Sequence, residues 1–164
     1  MARTVAEKMG VRAGSRAHLV GAPAEAVAAM RLPELDLAAD LTGAFDYLHL
    51  FVTRQEDMRA GFGPLRDHLA PDGRLWVSWP KGGRLGTDLT IRSVIAIGYD
   101  HGLVESTALR VDDTWSALKF TRPKPGKTYR NSYGTLPGGP TRSRRPGSET
   151  DPQDPVRGRG PGRR

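Results

Sequence analysis

The chain has 164 residues, no cysteine and a formal net charge of +7. This length favours one domain, and the absence of cysteine excludes a disulfide framework, thiolate catalysis and cysteine-ligated zinc. Residues 121–164 carry eleven Lys/Arg and three Asp/Glu, a net charge of 11 − 3 = +8, whereas residues 1–120 carry 14 basic and 15 acidic residues. The charge therefore does not indicate a nucleic-acid-binding fold, because only the C-terminal segment is basic.

The composition changes near Pro123. From Thr121 to Arg164, eight Pro and eight Gly occur in 44 residues, and the few apolar residues follow no period. Such a segment cannot bury enough apolar surface to offset the entropy lost on ordering. We therefore predict a domain at residues 1–122 and a disordered, basic tail rich in Pro, Gly and Arg at residues 123–164.

Strand and helix patterns alternate through the domain. In chain order we predict a strand at 16–22, a helix from Pro23 to Met30 and a short strand around 35–37. We then predict a buried strand at 45–52 and a helix from about Arg54 to Leu69. This helix should begin with a capping box of Thr53 and Glu56 and have a weak point at 61–64. The next predicted elements are a turn at 71–73, a strand at 74–79 and a flexible loop at 81–86. We then predict a helix from about Leu89 to His101, capped by Thr87 or Asp88, and two strands at 103–111 and 114–121.

This alternation predicts a doubly wound, mostly parallel α/β sheet with right-handed crossovers. The last two strands are too close in sequence for a crossover and should form a C-terminal antiparallel hairpin. The segments "FDYLHLF" and "LRDHLAPDGRLWVSWPK" and the final hairpin are similar to the C-terminal half of class I methyltransferases that use S-adenosylmethionine. The N-terminal half is abbreviated, so the predicted fold is methyltransferase-like (Rossmann-like).

Four blocks carry a narrower resemblance: residues 46–52, 69–81, 87–90 and 111–119. In that order they resemble a small bacterial family known as domain of unknown function 3052, over roughly residues 3–122. The resemblance implies the same fold and a cytoplasmic bacterial origin, and it implies no activity.

A methyltransferase-like fold implies a glycine-rich turn after the first strand and an acidic residue after the second. The turn here has the single glycine Gly21, and Pro23 removes a donor N–H. Asp36 or Asp40 could be the acid. We therefore expect no cofactor, with S-adenosylmethionine at Gly21, Pro23 and Glu25 as the alternative.

The strand that ends at Lys81 is the main candidate for ligand binding, because open α/β sheets place ligands at the carboxyl ends of their strands. Lys81 precedes a glycine-rich loop that could hold an anion, although "KGGRLGT" is not a phosphate-binding P-loop. The predicted site for an anionic or polar ligand comprises Lys81, Asp88, Asp113, Trp115 and Lys119. The structural alternative is a mobile loop, a turn and a core tryptophan.

No catalytic or metal-binding constellation is evident. The four histidines, His18, His49, His68 and His101, are scattered without ligand spacing, so we predict no metal site. Ser78 lies between two tryptophans without the elbow sequence of a nucleophilic serine.

The tail could contact nucleic acid weakly through its arginines, with base stacking on Tyr129 and Tyr133. These arginines are Arg142, Arg144, Arg145, Arg157, Arg159, Arg163 and Arg164. A solubilising extension is the alternative.

The leading functional hypothesis is a non-catalytic binding or regulatory module on a degenerate methyltransferase-like fold, with a protein partner or a small anionic ligand. The alternatives are an S-adenosylmethionine-dependent transferase and non-specific nucleic-acid binding through the tail. Residues 1–10 lack the apolar run of a signal peptide, and no apolar run approaches the ~20 residues needed to span a bilayer. We therefore expect a cytoplasmic protein that does not contact membranes.

Overall fold

A computed structural model of the chain describes residues 3–129 and 131–137. The helices are α1 (Val5–Met9), α2 (Ala24–Met30), α3 (Gln55–Asp67) and α4 (Ile91–Asp100). The strands are β1 (Arg16–Val20), β2 (Asp36–Leu37), β3 (Phe45–Phe51), β4 (Leu69–Pro80), β5 (Val104–Arg110) and β6 (Trp115–Thr121), and a short 3-10 segment covers Lys81–Gly86. Within this part of the chain, no helix is long and apolar enough to cross a membrane.

The strands form one sheet in the order β2-β1-β3-β4-β6-β5. The pairs from β2 to β4 are parallel, and β6 is antiparallel to both β4 and β5. This topology confirms the predicted α/β fold with an antiparallel hairpin at one edge. The chain passes from β2 to β3 without an intervening helix, so the N-terminal half is abbreviated as expected.

Each face of the sheet has its own hydrophobic layer. One face packs against α3 and α4 and includes Leu48, Leu75 and Trp79. The opposite face packs against α1 and α2 and includes Tyr47 and Trp76. Side chains alternate between the faces along each strand, so neighbouring residues of β4 belong to different layers.

Two helix starts differ from the prediction. The predicted capping box of Thr53 and Glu56 is wrong: Arg54 occupies the N-cap of α3 without a side-chain hydrogen bond, and the Gln55 N–H instead donates to Asp88 Oδ1 at 2.8 Å. The α4 helix begins after Thr90, which forms a capping box with Ser93. Sequence spacing cannot reveal a cap supplied by a residue 33 positions away.

The predicted turn at 71–73 lies inside β4 as a bulge. Between the pairs Phe45–Leu69 and Tyr47–Arg74, β3 advances two residues and β4 advances five. Gly73 is required there, because a Cβ atom at this position would lie 2.7 Å from the carbonyl oxygen of Phe45.

The chain beyond β6 packs on the domain. Tyr129 and Leu136 contact the α3/α4 layer, and Asn131 Nδ2 donates to Glu105 Oε2 at 3.2 Å. A Cβ atom at Gly134 would lie 2.7 Å from Tyr99, so the backbone there runs close against α4. The packed region therefore extends past the predicted boundary at residue 122, whereas residues 138–164, with all seven tail arginines named above, lie outside the described residues.

Truncation tests this extended boundary. A chain that ends at residue 122 should be less stable than one that ends at residue 137, because it loses the partly buried Tyr129 and Leu136. We expect a difference of roughly 1–3 kcal/mol in the free energy of unfolding, measured by urea denaturation. Equal stability of the two truncated chains would show that the segment adds nothing to the fold.

Candidate ligand-binding site

The predicted five-residue site does not assemble. In the antiparallel pair of β4 and β6, Trp115 lies opposite Pro80 and Lys119 lies opposite Trp76. Four strand residues separate these positions by about 13 Å. Lys81 and Trp115 therefore lie at the carboxyl end of β4, whereas Lys119 lies toward its other end.

The two predicted aspartates have structural roles. Asp88 accepts the Gln55 N–H and lies 3.7 Å from the Arg54 guanidinium, and both groups belong to the start of α3. The backbone carbonyl of Asp113 accepts a hydrogen bond from Arg84. Lys81 and Asp113 form no ion pair within the described part of the chain.

Trp115 is a core residue. It begins β6, one residue after the predicted start at 114, and it is 8% exposed. Its ring meets the Phe51 ring edge-on, with centroids 5.3 Å apart. The structural alternative for this tryptophan is therefore correct.

Lys119 lines a cavity of about 640 Å³ near the amino end of β4, which we call the cationic cavity. Its lining carries four positively charged side chains, Arg74, Lys119, Arg122 and Lys124, and the single acidic residue Asp72. Ser106 and Thr121 add hydroxyl groups, and the remaining lining residues are Pro71, Gly73, Pro123 and Pro125.

Lys119 has no polar partner in the part of the chain that the structure describes. Its ammonium group lies 6.0 Å from the centre of the Trp76 ring, on the same face of the sheet. Burial lowers the pKa of Lys119, and the positive charge of Arg74 lowers it further. A partly buried charge beside a like charge destabilises the fold. The indole N–H of Trp76 is buried and also lacks a hydrogen-bond partner among the described residues.

Neutral groups hold two of the other cations in place. Arg74 Nη1 donates to the Gly10 carbonyl at 3.1 Å. Arg122 Nη2 donates to the carbonyls of Arg66 and Leu69, each at 2.8 Å. These contacts fix the guanidinium groups without neutralising their charge, so the cavity keeps a positive potential.

The β1–α2 turn matches a cofactor site only in part. Gly21 has a φ of 69°, and a Cβ atom there would lie 2.9 Å from the Phe51 carbonyl, so the fold itself requires the glycine. Pro23 is the N-cap of α2, and Glu25 and Asp40 are exposed. Gly21, Pro23 and Glu25 line neither the cationic cavity nor the cavities that contain Arg12 and Trp79 in their linings. The residues present fit an adenosyl cofactor only through this glycine and the exposed carboxylate of Asp40 after β2.

Sequence reasoning missed a polar network in the core. His49 is 0% exposed, its Nδ1 lies 2.6 Å from the Tyr47 hydroxyl, and its Nε2 lies 2.7 Å from Ser78 Oγ. Phe51 stacks on the imidazole, with ring centroids 4.3 Å apart. Burial lowers the pKa of His49 to about 3 and raises the pKa of Tyr47. The signal in the sequence was a histidine and a serine, each within a buried strand.

The other histidines bond separately to backbone carbonyls. The Nδ1 atoms of His18, His68 and His101 lie 2.7–2.8 Å from the carbonyl oxygens of Ala38, Gly43 and Ile97. Within residues 3–129 and 131–137, no group of three or more His, Asp or Glu side chains could hold a metal ion.

The tyrosines proposed for base stacking have other contacts. The Tyr129 hydroxyl accepts the Lys124 N–H at 2.9 Å, and its ring packs against the core. Tyr133 is 45% exposed, with the Arg92 guanidinium 5.4 Å from its ring centre. Stacking through Tyr129 would require the segment to detach from the domain.

No protein-family model and no curated protein matches the chain, so the resemblance to family 3052 stays a prediction. Similar solved structures include the ribosomal protein L11 methylase of Lactobacillus delbrueckii subsp. bulgaricus, with 15% identity, a TM-score of 0.48, and coverage of 73% of this chain and 75% of that chain. The magnesium protoporphyrin IX methyltransferase of Synechocystis PCC 6803 with bound SAM has 12% identity, a TM-score of 0.48, and coverage of 73% and 74%. A TehB-like SAM-dependent methyltransferase of Corynebacterium glutamicum ATCC 13032 has 11% identity, a TM-score of 0.47, and coverage of 72% and 85%.

The buried histidine predicts a pH dependence of stability. Because the pKa of His49 is lower in the folded chain than the ordinary value near 6.5, the unfolded chain binds the extra proton between these values. This contribution to stability is complete above about pH 6.5 and declines by up to ~1.4 kcal/mol per pH unit as the pH falls toward 3. Urea denaturation of the wild type and His49→Gln between pH 7 and pH 4 should give a shallower slope for the variant. Parallel slopes would contradict this assignment.

Proposed function

We propose that this chain is a non-catalytic binding module whose ligand is a small phosphate-bearing anion held in the cationic cavity. The observation that supports this proposal most strongly is Lys119. Its charge is partly buried beside Arg74, and it has no acidic partner among the described residues.

An anion would remove the electrostatic cost of this arrangement. Lys119 and Arg74 repel each other in the free protein, and a negative ligand between them converts that repulsion into two attractions. Burial strengthens both attractions, because the local dielectric constant is lower than that of water. The same arrangement would be unfavourable for a ligand without negative charge.

The lining suits a phosphate group. Arginine guanidinium groups donate paired hydrogen bonds to phosphate oxygens, and lysine adds a point charge. Ser106 and Thr121 provide hydroxyl donors in the same lining. A volume of about 640 Å³ lies within the range of small-molecule sites.

The lining favours binding over reaction. Ser106 and Thr121 are the hydroxyl side chains of the cavity, and its lining includes no histidine that could activate them. Lys119 lies 6.0 Å from the centre of the Trp76 ring and is repelled by the charge of Arg74, and within the described part of the chain no acidic residue forms an ion pair with it. These contacts support the assignment of a ligand-holding role to the cavity.

The direct test is titration of the full chain with inorganic phosphate and pyrophosphate, against sodium chloride at equal ionic strength. A ligand at 100 times its dissociation constant should add about 2.7 kcal/mol to the free energy of unfolding. We expect stabilisation by both phosphates, a loss of at least tenfold in affinity for Lys119→Met, and no loss for Lys8→Ala, an exposed lysine on α1. Binding that is equal in the wild type and Lys119→Met would contradict the proposal.

The free protein should show the opposite effect of the same substitution. Lys119→Met removes a desolvated, repelled charge and keeps an unbranched side chain over Trp76. We therefore expect an unchanged or higher melting temperature without ligand, measured by calorimetry. A clear decrease would assign Lys119 to the fold rather than to a ligand.

The second candidate function is an S-adenosylmethionine-dependent transferase. The observation that favours it is Gly21 at the carboxyl end of β1, with Asp40 exposed after β2. S-adenosylhomocysteine should then stabilise the chain, Asp40→Ala should weaken that effect, and Lys119→Met should not. Gly21→Ala is unsuitable as a test, because the added Cβ meets the Phe51 backbone. No stabilisation by S-adenosylhomocysteine would count against the transferase.

A further inference from the structure

We infer that a second cavity, at the opposite end of β4, binds a small organic anion with an apolar body, such as a medium-chain carboxylate. This cavity has a volume of about 630 Å³ and lies between the start of α4 and the β5–β6 hairpin. We call it the strand-end cavity, and the lining residues that matter here are Trp79, Lys81, Leu89, Ile91 and Arg110.

The interior of the strand-end cavity is apolar. Trp79 and Leu89 are 5% and 2% exposed and belong to the α3/α4 layer. Ile91 is 44% exposed at the first position of α4, although it is a large aliphatic residue. Because Trp79 and Leu89 are already buried, an apolar ligand would gain mainly by covering the exposed Ile91, which would release ordered water.

The charged lining residues are both positive. Lys81 and Arg110 line the cavity together, and its lining includes no Asp or Glu. Within the described residues, neither side chain has an ion-pair partner. The nearby Asp88 is held by Gln55 at the start of α3. The cavity therefore combines an apolar interior with an uncompensated positive charge.

This combination selects for a ligand that is both apolar and anionic. A small inorganic anion would leave Ile91 in contact with water. A neutral hydrophobic molecule would leave Lys81 and Arg110 without a negative partner. A carboxylate on a chain of several carbons satisfies both parts of the lining.

Binding of three probes to the full chain distinguishes these cases: octanoate, octanol and acetate, followed by tryptophan fluorescence and calorimetry. We expect octanoate to bind at least tenfold more tightly than octanol or acetate. The double variant Lys81→Ala/Arg110→Ala should lose at least tenfold in octanoate affinity without losing octanol affinity. Ile91→Asp should abolish octanoate binding, and an acidic residue in the first turn of a helix is compatible with folding.

Matched controls separate this inference from the proposed function. Lys8→Ala and Lys119→Met should bind octanoate like the wild type, and Ile91→Asp should bind pyrophosphate like the wild type. Octanol binding as tight as octanoate binding would overturn the inference. Octanoate affinity unchanged by Ile91→Asp and by the double variant would also overturn it.

Discussion

The pairing of β4 with strands on both of its sides is the constraint on which the other features depend. This strand is parallel to β3 and antiparallel to β6, so it joins the parallel part of the sheet to the hairpin. Its register with β6 sets Lys119 opposite Trp76 and Trp115 opposite Pro80. Because the strand is long, its two ends form two different environments, a cationic cavity at one end and a largely apolar cavity at the other.

Two ionisable side chains of the sheet, His49 and Lys119, have contrasting surroundings. The buried imidazole of His49 has partners on both ring nitrogens, so the network replaces water with hydrogen bonds. Lys119 lies on the same face of the sheet without such partners, with its ammonium group 6.0 Å from the centre of the Trp76 ring. A satisfied buried group needs no ligand to explain it. A cation that is desolvated and repelled does, and this difference directs attention to Lys119 rather than to His49.

The fold was largely predictable from local pattern. The buried strand β3 is a hydrophobic run, and the connection between β5 and β6 is too short for a crossover. The caps of α3 and α4 were not predictable. Asp88 caps α3 from a distant part of the chain, and the cap of α4 is Thr90 rather than Thr87 or Asp88, which suit that position equally well. Composition also failed after residue 122, where single residues such as Tyr129 and Leu136 pack on the domain without any periodic pattern.

The assembly of the candidate site was not predictable from the sequence. The interpretation of Lys81 and Lys119 as ligand-binding cations stays a prediction, and proximity between them depended on the register of β4 and β6, which the sequence leaves open. Asp88 and Asp113 looked functional because polar residues near strand ends are typical of α/β sites, and the structure uses them in backbone contacts instead.

The pKa of the Lys119 ammonium group, measured by NMR titration of the full chain with and without pyrophosphate, is the sharpest test of an anion site in the cationic cavity. We expect a pKa below the ordinary value for lysine in the free protein, because burial and Arg74 both disfavour the charge. We also expect that pKa to increase when pyrophosphate binds, because an adjacent negative charge favours the ammonium form. An ordinary pKa that pyrophosphate leaves unchanged would show that Lys119 does not bind an anion.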